Sequence, residues 1–308
     1  MRITALTARN AGLWYRAVEA APTPQQLAHL TEILTSGPLR PNLRAIVERD
    51  GRIIGRFAAQ RREGAIHFWI PWFHRDASES ERKGAMRRIV DDLAARRAAE
   101  ELQALPLESR AGNDEADCAL WLDVLRDAGF EEASAYRVHI LNAPWPRAAP
   151  HEAPRTEIRA ATPQDLELLP QLYCRAYADT LDRRQRAFDA APKYINELRS
   201  FGTGYDPALW LIGSVNGEAA GFALVNAARE EAFPGLSAWL LEIGCLPQHR
   251  GQGIAGALLA ALMPRLDKAG CQRLLATIDE KNTPSIRLHE SFGFVPQKDR
   301  HYVFRLVR

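Results

Sequence analysis

Apolar and polar positions alternate in short runs, and longer segments of helical period separate these runs. This pattern predicts an α/β protein in the broad sense, and more narrowly one of the α+β class, in which the sheet is mostly antiparallel. The Asn216-Gly217 pair is a two-residue turn that tolerates positive φ, so the strands on either side of it should form a hairpin. We therefore expect a mixed, mostly antiparallel sheet flanked by helices. In the C-terminal half, strands are predicted at residues 209–215, 219–226, 238–246 and 274–278, and helices from about Gly253 and at 284–292.

The N-terminal half repeats the same landmarks in the same order. It has an Asp50-Gly51 turn, an apolar strand, a long helix expected to begin at Gly84, and a helix expected to end at Gly129-Phe130. Nearly equal distances along the chain separate these landmarks in the two halves, and each half ends in an alternating strand. The sequence therefore predicts an internal duplication. The corresponding landmarks of the C-terminal half are Asn216-Gly217, Gly251 and Gly293-Phe294.

A proline-rich segment separates the two halves. Residues 143–155 contain four prolines, and such a segment continues neither a helix nor a central strand. The chain of 308 residues also exceeds the usual size of one domain. We therefore expect a first domain at residues 1–142, a linker at 143–155 and a second domain at 156–308.

The composition is that of a globular protein and narrows the classes of function. With 40 basic and 38 acidic residues the formal charge is +2, so neither nucleic acid nor an anionic membrane is expected as a partner. The four cysteines have no Cys-x-x-Cys spacing, which favours reduced thiols over disulfides or a metal site. The N-terminus lacks the apolar core of a signal peptide. We expect a cytoplasmic protein, monomeric or homodimeric, that holds no metal.

The chemistry is expected at residues 247–255, between the third predicted strand and the long helix. A strand that turns into a helix through two close glycines, here Gly251 and Gly253, exposes backbone N–H groups at the positive end of a helix dipole. Such a loop suits a phosphate or pyrophosphate, because a Cβ at either glycine would keep the ligand away from the backbone. The spacing Gln-x-x-Gly-x-Gly is that of neither the dinucleotide fingerprint nor the P-loop.

This loop resembles the coenzyme-binding motif of the GNAT superfamily of acyl-CoA N-acyltransferases. Downstream, Asn282 precedes a helix expected to end at Gly293-Phe294, which resembles the second motif of that family. The resemblance covers about residues 155–308 and implies tandem GNAT-like domains with acetyl-CoA as the acyl donor. It implies a thioester carbonyl bound by backbone N–H groups of Cys245 and Leu246. It also implies a coenzyme A site made by Gln248, Arg250, Gly251, Gln252, Gly253, Ile254, Ala255, Asn282 and Ser285.

Amine acylation requires a base for the acceptor and an acid for the leaving thiolate. The resemblance implies Glu242, in the third predicted strand, as the base; burial among apolar neighbours would raise its pKa. A charged residue at a strand edge or an ion-pair partner is the structural alternative. His289 stands where the family commonly has a proton-donating tyrosine, and an imidazolium would serve instead; a surface histidine is the alternative. Tyr302 is a second candidate acid or else a core residue, and Cys245 is expected to be inert packing.

The N-terminal half is expected to keep the fold without binding coenzyme A productively. Glu81 stands at the position of Gln248, and Met86 at that of Gly253. A carboxylate there would oppose a pyrophosphate, and a bulky side chain would crowd it. Asn113-Asp114 does not keep the spacing of the second motif. Core or interdomain contacts are expected for Trp69, Trp72, Phe73 and Trp121.

We therefore expect an acyl-CoA-dependent N-acyltransferase that acts on a primary amine of a small molecule or peptide. A non-catalytic acyl-CoA sensor is the alternative, because the tyrosine position is substituted. A nucleotide-dependent α/β enzyme is disfavoured, because the P-loop lysine and the ribose-binding acid are missing. The acceptor cleft is expected along residues 173–205, with Tyr177, Asp179, Arg183 and Arg184 as its polar groups.

Overall fold

The structure is a computed structural model that describes residues 1–17, 21–36, 44–62, 65–99, 107–112, 117–146, 156–180, 191–201, 205–229 and 234–306. The strands within these ranges are β1 (Arg2–Ala5), β2 (Arg44–Arg49), β3 (Arg52–Arg62), β4 (Ala65–Trp69), β5 (Trp72–Phe73), β6 (Leu107–Gly112), β7 (Phe130–Asn142), β8 (Thr156–Ala160), β9 (Trp210–Val215), β10 (Glu218–Ala228), β11 (Leu236–Cys245), β12 (Cys271–Asp279) and β13 (Val295–Leu306). The helices are α1 (Leu13–Arg16), α2 (Pro24–Ser36), α3 (Glu79–Ala99), α4 (Cys118–Asp127), α5 (Asp165–Tyr177), α6 (Ala191–Arg199), α7 (Ile254–Lys268) and α8 (Thr283–Ser291).

The chain divides into two compact units. The first consists of Met1–Ala135 and Asp299–Arg308, and the second of Tyr136–Lys298. The units differ from the two halves of the sequence, because the last strand of each half contributes to the unit that the other half forms. Of the linker expected at residues 143–155, residues 147–155 lie outside the part of the chain that the structure describes.

The second unit contains one mixed sheet. Its strand order is β7-β12-β11-β10-β9-β8. Strands β11 and β12 are parallel, and the other neighbours are antiparallel. The predicted hairpin of β9 and β10 turns at Asn216 and Gly217, which have φ values of 52° and 82°. Residues 136–142 of β7 complete this sheet beside β12.

The first unit contains a sheet with the same plan. Its strand order is β1-β2-β3-β4-β6-β13, and β5 also pairs with β3. Strands β4 and β6 are parallel, as β11 and β12 are in the second unit. Residues 301–305 of β13 pair with β6. Equal strand order and an equally placed parallel pair support the internal duplication, with β7 and β13 exchanged between the units.

Helices cover both faces of the second sheet. Along β10, Phe222 and Leu224 face α5 and α6, whereas Ala223 and Val225 belong to the core under α7. Because both faces are covered, β10 is buried along almost its whole length, and its sequence is nearly continuous in apolar residues instead of alternating. Each large apolar side chain buried in this way contributes about 1.5–3 kcal/mol to the free energy of unfolding.

The aromatic residues of the first unit divide between its core and its surface. Trp121 is fully buried, with its ring edge-to-face against Phe68 at 5.7 Å between centroids. Phe73 is also buried, as predicted. Trp69 and Trp72 are 36% and 40% exposed and are not core residues. The Trp72 ring lies against Arg56 at 5.8 Å and against His74 at 6.3 Å between centroids.

The helix expected to begin at Gly84 begins earlier. Helix α3 starts at Glu79, so that Gly84 lies inside it. Ser78 and Glu81 form a capping box: the Ser78 N–H donates to the Glu81 carboxylate at 2.8 Å, and the Glu81 N–H donates to Ser78 Oγ at 3.3 Å. Such a pair fixes a helix start more strongly than a glycine. The helix ends predicted at Gly129 and Gly293 are confirmed, with φ values of 83° and 87°.

Strand exchange makes each half of the chain incomplete by itself. We expect residues 156–308, expressed alone, to lose the partner of the β12 edge and to lack the cooperative urea unfolding of the whole chain, because an unpaired central edge exposes backbone donors and apolar surface. Co-expression with residues 1–142 is expected to restore a co-purifying, cooperatively unfolding complex. A lone fragment with the urea midpoint of the whole chain would contradict the exchange.

Candidate active site

The site is built where the parallel strands β11 and β12 separate. Their pairing ends at Leu240 and Ala276, although β11 continues to Cys245 and β12 to Asp279. Both strands keep their outer partners, β10 and β7, to their ends. Backbone groups on the inner edge of β11 after Leu240 therefore face a gap in place of a strand.

The register of β10 and β11 shows which groups face this gap. The Leu246 N–H donates to the Ala220 carbonyl at 2.8 Å, so Leu246 points toward β10. Because bonded and non-bonded pairs alternate in an antiparallel ladder, the preceding residue, Cys245, directs its N–H away from β10 and into the gap. The Cys245 N–H is therefore oriented so that a ligand in the gap could reach it, whereas the Leu246 N–H is already used within the sheet.

The glycine loop follows directly. A 3-10 turn at Pro247–His249 leads to Gly251 and Gly253, both left-handed with φ values of 73° and 80°, and α7 then begins at Ile254. The Arg250 N–H is taken by the Pro247 carbonyl at 3.3 Å. Among the described residues, no acceptor is present for the N–H groups of Gly251, Gln252, Gly253 and Ile254. These four donors at a helix N-terminus match the oxygens of a pyrophosphate.

The sulfur of Cys245 accepts a hydrogen bond from one of the N–H groups that were predicted to bind coenzyme A. The Ala255 N–H is hydrogen-bonded to this thiol, so Ala255 is satisfied within the protein. Burial raises the pKa of the Cys245 thiol to about 11, and the protonated sulfur is a poor nucleophile. Both observations agree with the expectation that Cys245 is packing.

Two glycines in the sheet let α7 start close to the end of β11. The Ile254 side chain is buried against Gly213 and Gly221. A Cβ at Gly221 would lie 3.1 Å from Ile254 Cγ2 and 2.9 Å from the Gly244 carbonyl oxygen. Ile254 therefore contributes its backbone to the loop and its side chain to the core.

Two side chains tie the glycine loop together. Arg250 forms a double hydrogen bond with the Asp179 carboxylate, at 2.7 and 2.9 Å, and also donates to the Ala176 carbonyl at 2.7 Å. The ion pair with Asp179 raises the pKa of Arg250. Gln252 donates to the Gln248 carbonyl at 3.1 Å. The side chain of Arg250 thus joins the loop to the end of α5. Arg183 and Arg184 lie outside the described residues.

The second motif forms a capped helix. Asn282 caps α8, its side-chain oxygen accepting from the Ser285 N–H at 3.2 Å. Helix α8 ends at Ser291, and the Phe294 N–H then returns to the His289 carbonyl at 3.1 Å. Asn282 is exposed and Ser285 half-buried. These contacts account for the motif as a helix start and stop.

His289 is buried and neutral. Burial lowers its pKa to about 4, so near pH 7 no imidazolium is present. Its Nδ1 lies 2.7 Å from the Ser285 carbonyl oxygen; because a carbonyl only accepts, the ring proton must be on Nδ1. Nε2 is then an unprotonated nitrogen without a partner among the described residues. These findings contradict the imidazolium donor predicted from the sequence.

Glu242 is the buried carboxylate of the site. It lies opposite Leu224 in the β10–β11 ladder and so faces α5 and α6. Tyr177 donates to its Oε2 at 2.7 Å, and Tyr194 donates to its Oε1 at 2.5 Å. Tyr177 Oη also lies 2.9 Å from the Ile243 carbonyl oxygen. The Glu242 carboxylate is thus held by hydroxyl groups from both α5 and α6.

Tyr194 and the residue that positions it are functional candidates that the sequence pattern does not single out. The buried Asn226 donates to the carbonyls of Leu198 and Phe201 at 2.7 and 2.9 Å, and accepts from Trp210 Nε1 at 2.8 Å. Asn226 therefore fixes the C-terminal end of α6, the helix that carries Tyr194. An available signal was the asparagine inside an otherwise apolar strand, since such a polar group must find partners.

Tyr302 belongs to the first unit. It pairs with Ala111 in the ladder of β13 and β6 and packs against the core of that unit. Arg300 lies over its ring at 4.9 Å. The core alternative for Tyr302 is therefore the one that the structure favours.

The N-terminus of α3 in the first unit is closed by its own carboxylate. Glu81 accepts from both the N–H and the hydroxyl of Ser78, and Arg49 approaches it at 3.0 Å. The hydrogen bonds from Ser78 hold the pKa of Glu81 below its usual value. Met86 is fully buried in the core. The connection before α3, residues 74–78, is shorter than residues 246–253 before α7, and Asn113-Asp114 lies outside the described residues.

Two general features of the described residues concern metals and membranes. They contain no group of three or more histidine, cysteine or acidic side chains arranged to hold a metal ion. None of their helices combines the length and apolar character required to span a bilayer.

Residues 170–294 match the family model described as Acetyltransferase (GNAT) family. The match contains Glu242, the glycine loop and α8, so this part of the chain is similar to GNAT acetyltransferase domains. Among solved structures, a GCN5-related N-acetyltransferase from Sphaerobacter thermophilus aligns over 99% of this chain and 94% of its own, with a TM-score of 0.67 and 17% identity. A tandem GNAT protein from the clavulanic acid biosynthesis pathway aligns over 99% and 97%, with a TM-score of 0.59 and 13% identity. The expected tandem GNAT-like fold is confirmed.

Curated relatives are acetyltransferases. Mycothiol acetyltransferase of Thermobispora bispora is 28% identical over 171 residues, which are 54% of this chain and 56% of the relative. Phosphinothricin N-acetyltransferase of Streptomyces viridochromogenes is 28% identical over 142 residues, 45% of this chain and 73% of the relative. The chain thus spans little more than half the length of the first relative. Together with the family match, these similarities support an acetyltransferase.

The neutral His289 has a consequence for stability in acid. Its pKa is about 4 in the folded protein, against 6.5 for an ordinary histidine, so its contribution is complete above pH 6.5 and is lost as the pH falls toward 4. We expect the wild type to lose on the order of 2–3 kcal/mol more of its free energy of unfolding over this range than His289→Gln. Urea unfolding at several pH values measures the difference. Equal slopes in the two proteins would show that His289 is not buried as a neutral ring.

Proposed function

We propose that the chain is an acetyl-CoA-dependent N-acetyltransferase that acts on a primary amine of a small molecule or peptide. The observation that carries the proposal is that one strand, β11, bears the buried carboxylate of Glu242 and ends at the glycine loop with its four unused N–H donors. Base and coenzyme site are thereby fixed to the same rigid element, as acyl transfer between two bound molecules requires.

The coenzyme A site fits the donors that the protein offers. Gly251, Gln252, Gly253 and Ile254 would hold the pyrophosphate, and the Cys245 N–H would bind the thioester carbonyl. Acetyl-CoA supplies the activated acyl group. The N–H in the gap is a preorganised donor for the oxygen on which negative charge develops during attack. Leu246, Arg250 and Ala255 support the loop without offering a free N–H.

Glu242 would take the proton of the acceptor ammonium, directly or through one water. A carboxylate that accepts from two phenol hydroxyls is held in one orientation, and in its ionised form it can act as a base. Its negative charge also favours a cationic amine over a neutral acceptor. We do not assign the acid to His289, since its Nε2 carries no proton to give.

A non-catalytic acyl-CoA sensor is the competing function. The substitution of the tyrosine by histidine at position 289 motivated it. The buried Glu242 carboxylate, on the strand that ends at the glycine loop, supports catalysis over binding alone. Release of free thiol from acetyl-CoA in the presence of a panel of amines distinguishes the two functions, because a sensor binds without turnover.

The glycine loop provides the first test. Gly251→Val and Gly270→Val place a Cβ on equally left-handed residues with open space around them, one in the loop and one at the far end of α7. Both are expected to lose about 1–3 kcal/mol of stability. Only Gly251→Val should weaken acetyl-CoA binding, by at least about tenfold, because the side chain and the altered backbone obstruct the pyrophosphate.

Calorimetric titration of acetyl-CoA measures this effect and the stoichiometry. We expect one molecule bound per wild-type chain, since in the first unit the carboxylate of Glu81 lies at the N-terminus of α3 and would oppose a phosphate. Unchanged affinity in a folded Gly251→Val protein would refute the coenzyme site. A second binding event that Gly251→Val leaves intact would instead place a site in the first unit.

Glu242→Gln tests the base. The amide keeps the size of the side chain and removes its capacity to accept a proton, so kcat should fall by about 100-fold or more while the affinity for acetyl-CoA stays unchanged. The exposed Glu218→Gln on the neighbouring strand is the control, with kcat within about twofold of wild type. Steady-state kinetics at saturating acetyl-CoA measures both. Full turnover by Glu242→Gln would remove Glu242 from the mechanism.

A further inference from the structure

The hydroxyl of Tyr177 lies between two oxygens that both accept hydrogen bonds. Glu242 Oε2 is 2.7 Å away and the Ile243 carbonyl oxygen is 2.9 Å away. A phenol has one hydrogen to donate. An ionised carboxylate and a carbonyl have none, so with Glu242 ionised only one of these two contacts is a full hydrogen bond. A proton on Glu242 Oε2 satisfies both contacts.

We propose that Tyr177 is a positioning residue that reverses its hydrogen bond when Glu242 gains a proton, so that both protonation states of the carboxyl group are stabilised. With Glu242 ionised, Tyr177 donates to Oε2. With Glu242 protonated, its O–H donates to Tyr177 Oη, and Tyr177 donates to the Ile243 carbonyl. One proton is added, no heavy-atom bond changes, and the carboxyl charge goes from −1 to 0. The inference rests on the proposed role of Glu242 as the base.

The Ile243 carbonyl is available for this role because of the sheet. Ala220 and Leu246 form a bonded pair, so Cys245 and, two residues earlier, Ile243 face away from β10. Beyond Leu240 no strand pairs with this edge of β11. The gap that exposes the Cys245 N–H for a ligand therefore also exposes the Ile243 carbonyl for Tyr177.

Tyr194 stabilises only one protonation state of the same carboxyl group, the ionised one. Its hydroxyl lies 2.5 Å from Oε1, the oxygen that keeps no proton in either arrangement described above. A donor at Oε1 binds a charged oxygen more strongly than a neutral one, so it favours the ionised form. Tyr177 discriminates less between the two forms than Tyr194 does, because it forms a hydrogen bond with the carboxyl group in both.

Aromatic rings pack around Tyr177 and Tyr194 among the described residues. The Tyr173 ring contacts Tyr177 edge-on and Tyr194 in a tilted arrangement, with ring centroids at 4.9 and 5.3 Å. On the β10 side, Phe222 lies 6.3 Å from Tyr177. Arg250, which forms an ion pair with Asp179, is a charged group near Tyr177. Tyr173 is in ring contact with both Tyr177 and Tyr194, so the three phenols belong to one aromatic cluster.

The two tyrosines should differ in their effect on the proton affinity of Glu242. Tyr194→Phe removes a donor that favours the ionised form, so the pKa of Glu242 should rise by about one unit. Tyr177→Phe removes a bond from both forms, so the pKa should rise by less than about half as much. Tyr173→Phe is the matched control and should leave the pKa unchanged. All three variants keep the ring and its packing.

Infrared difference spectroscopy during a pH titration tests the inference without turnover. The carbonyl stretch of the protonated carboxyl group is assigned to Glu242 by its disappearance in Glu242→Gln, and its titration midpoint is compared in the wild type and the three variants. Circular dichroism and the urea midpoint check that each variant is folded. The expected order of midpoints is Tyr194→Phe highest, then Tyr177→Phe, then Tyr173→Phe equal to wild type.

A midpoint in Tyr177→Phe as high as that in Tyr194→Phe would overturn the inference, since Tyr177 would then be a donor only. The pH profile of kcat separates this result from the proposed function. If its acidic limb follows the infrared midpoints, Glu242 is the base. If the midpoints keep the expected order but the acidic limb of the kcat profile does not shift with them, the hydrogen bond reverses as proposed and Glu242 is not the base.

Discussion

The separation of β11 from β12 is the constraint on which the site depends. Two parallel strands that part in the middle of a sheet leave inner-edge donors and acceptors without a strand partner, and such groups need other partners where they are buried. The Tyr177 hydroxyl lies 2.9 Å from one of these acceptors, the Ile243 carbonyl oxygen. The donor at Cys245 points into the same gap. The gap between β11 and β12 thus contains an N–H group without a strand partner, and the carbonyl oxygen of a ligand could accept a hydrogen bond from it.

The two units show how one plan leads to different sites. In the second unit, the approach to α7 is long enough for two left-handed glycines, and the helix N-terminus stays open. In the first, the approach to α3 is shorter, and Glu81 occupies the corresponding position with help from Ser78 and Arg49. A helix N-terminus attracts negative charge from either source. The carboxylate of Glu81 at α3 and the phosphate of a ligand at α7 would thus take corresponding positions at the two helix N-termini.

Much of the fold followed from the pattern of residues. The turn at Asn216-Gly217, the stops at Gly129 and Gly293 and the start of α7 are set by local backbone preferences, and these predictions are confirmed. At two positions, His289 and Leu246, the structure differs from an expectation that depended on tertiary contacts. The neutral state of His289 depends on burial that a short helix does not reveal, and the Leu246 N–H was lost to a strand partner. Tyr194 lies far from Glu242 along the chain, so its contact required the position of α6.

The exchange of β7 and β13 has a consequence for the order in which the protein can assemble. Strand β7 is synthesised before every other strand of the second sheet, whereas β13 follows all the elements of both sheets. The first sheet therefore emerges from the ribosome with β6 as an open edge, and an open edge invites pairing with other chains. Its closure must wait until the second unit has been made, so a complete first sheet can form only in a chain that already contains every strand of the second.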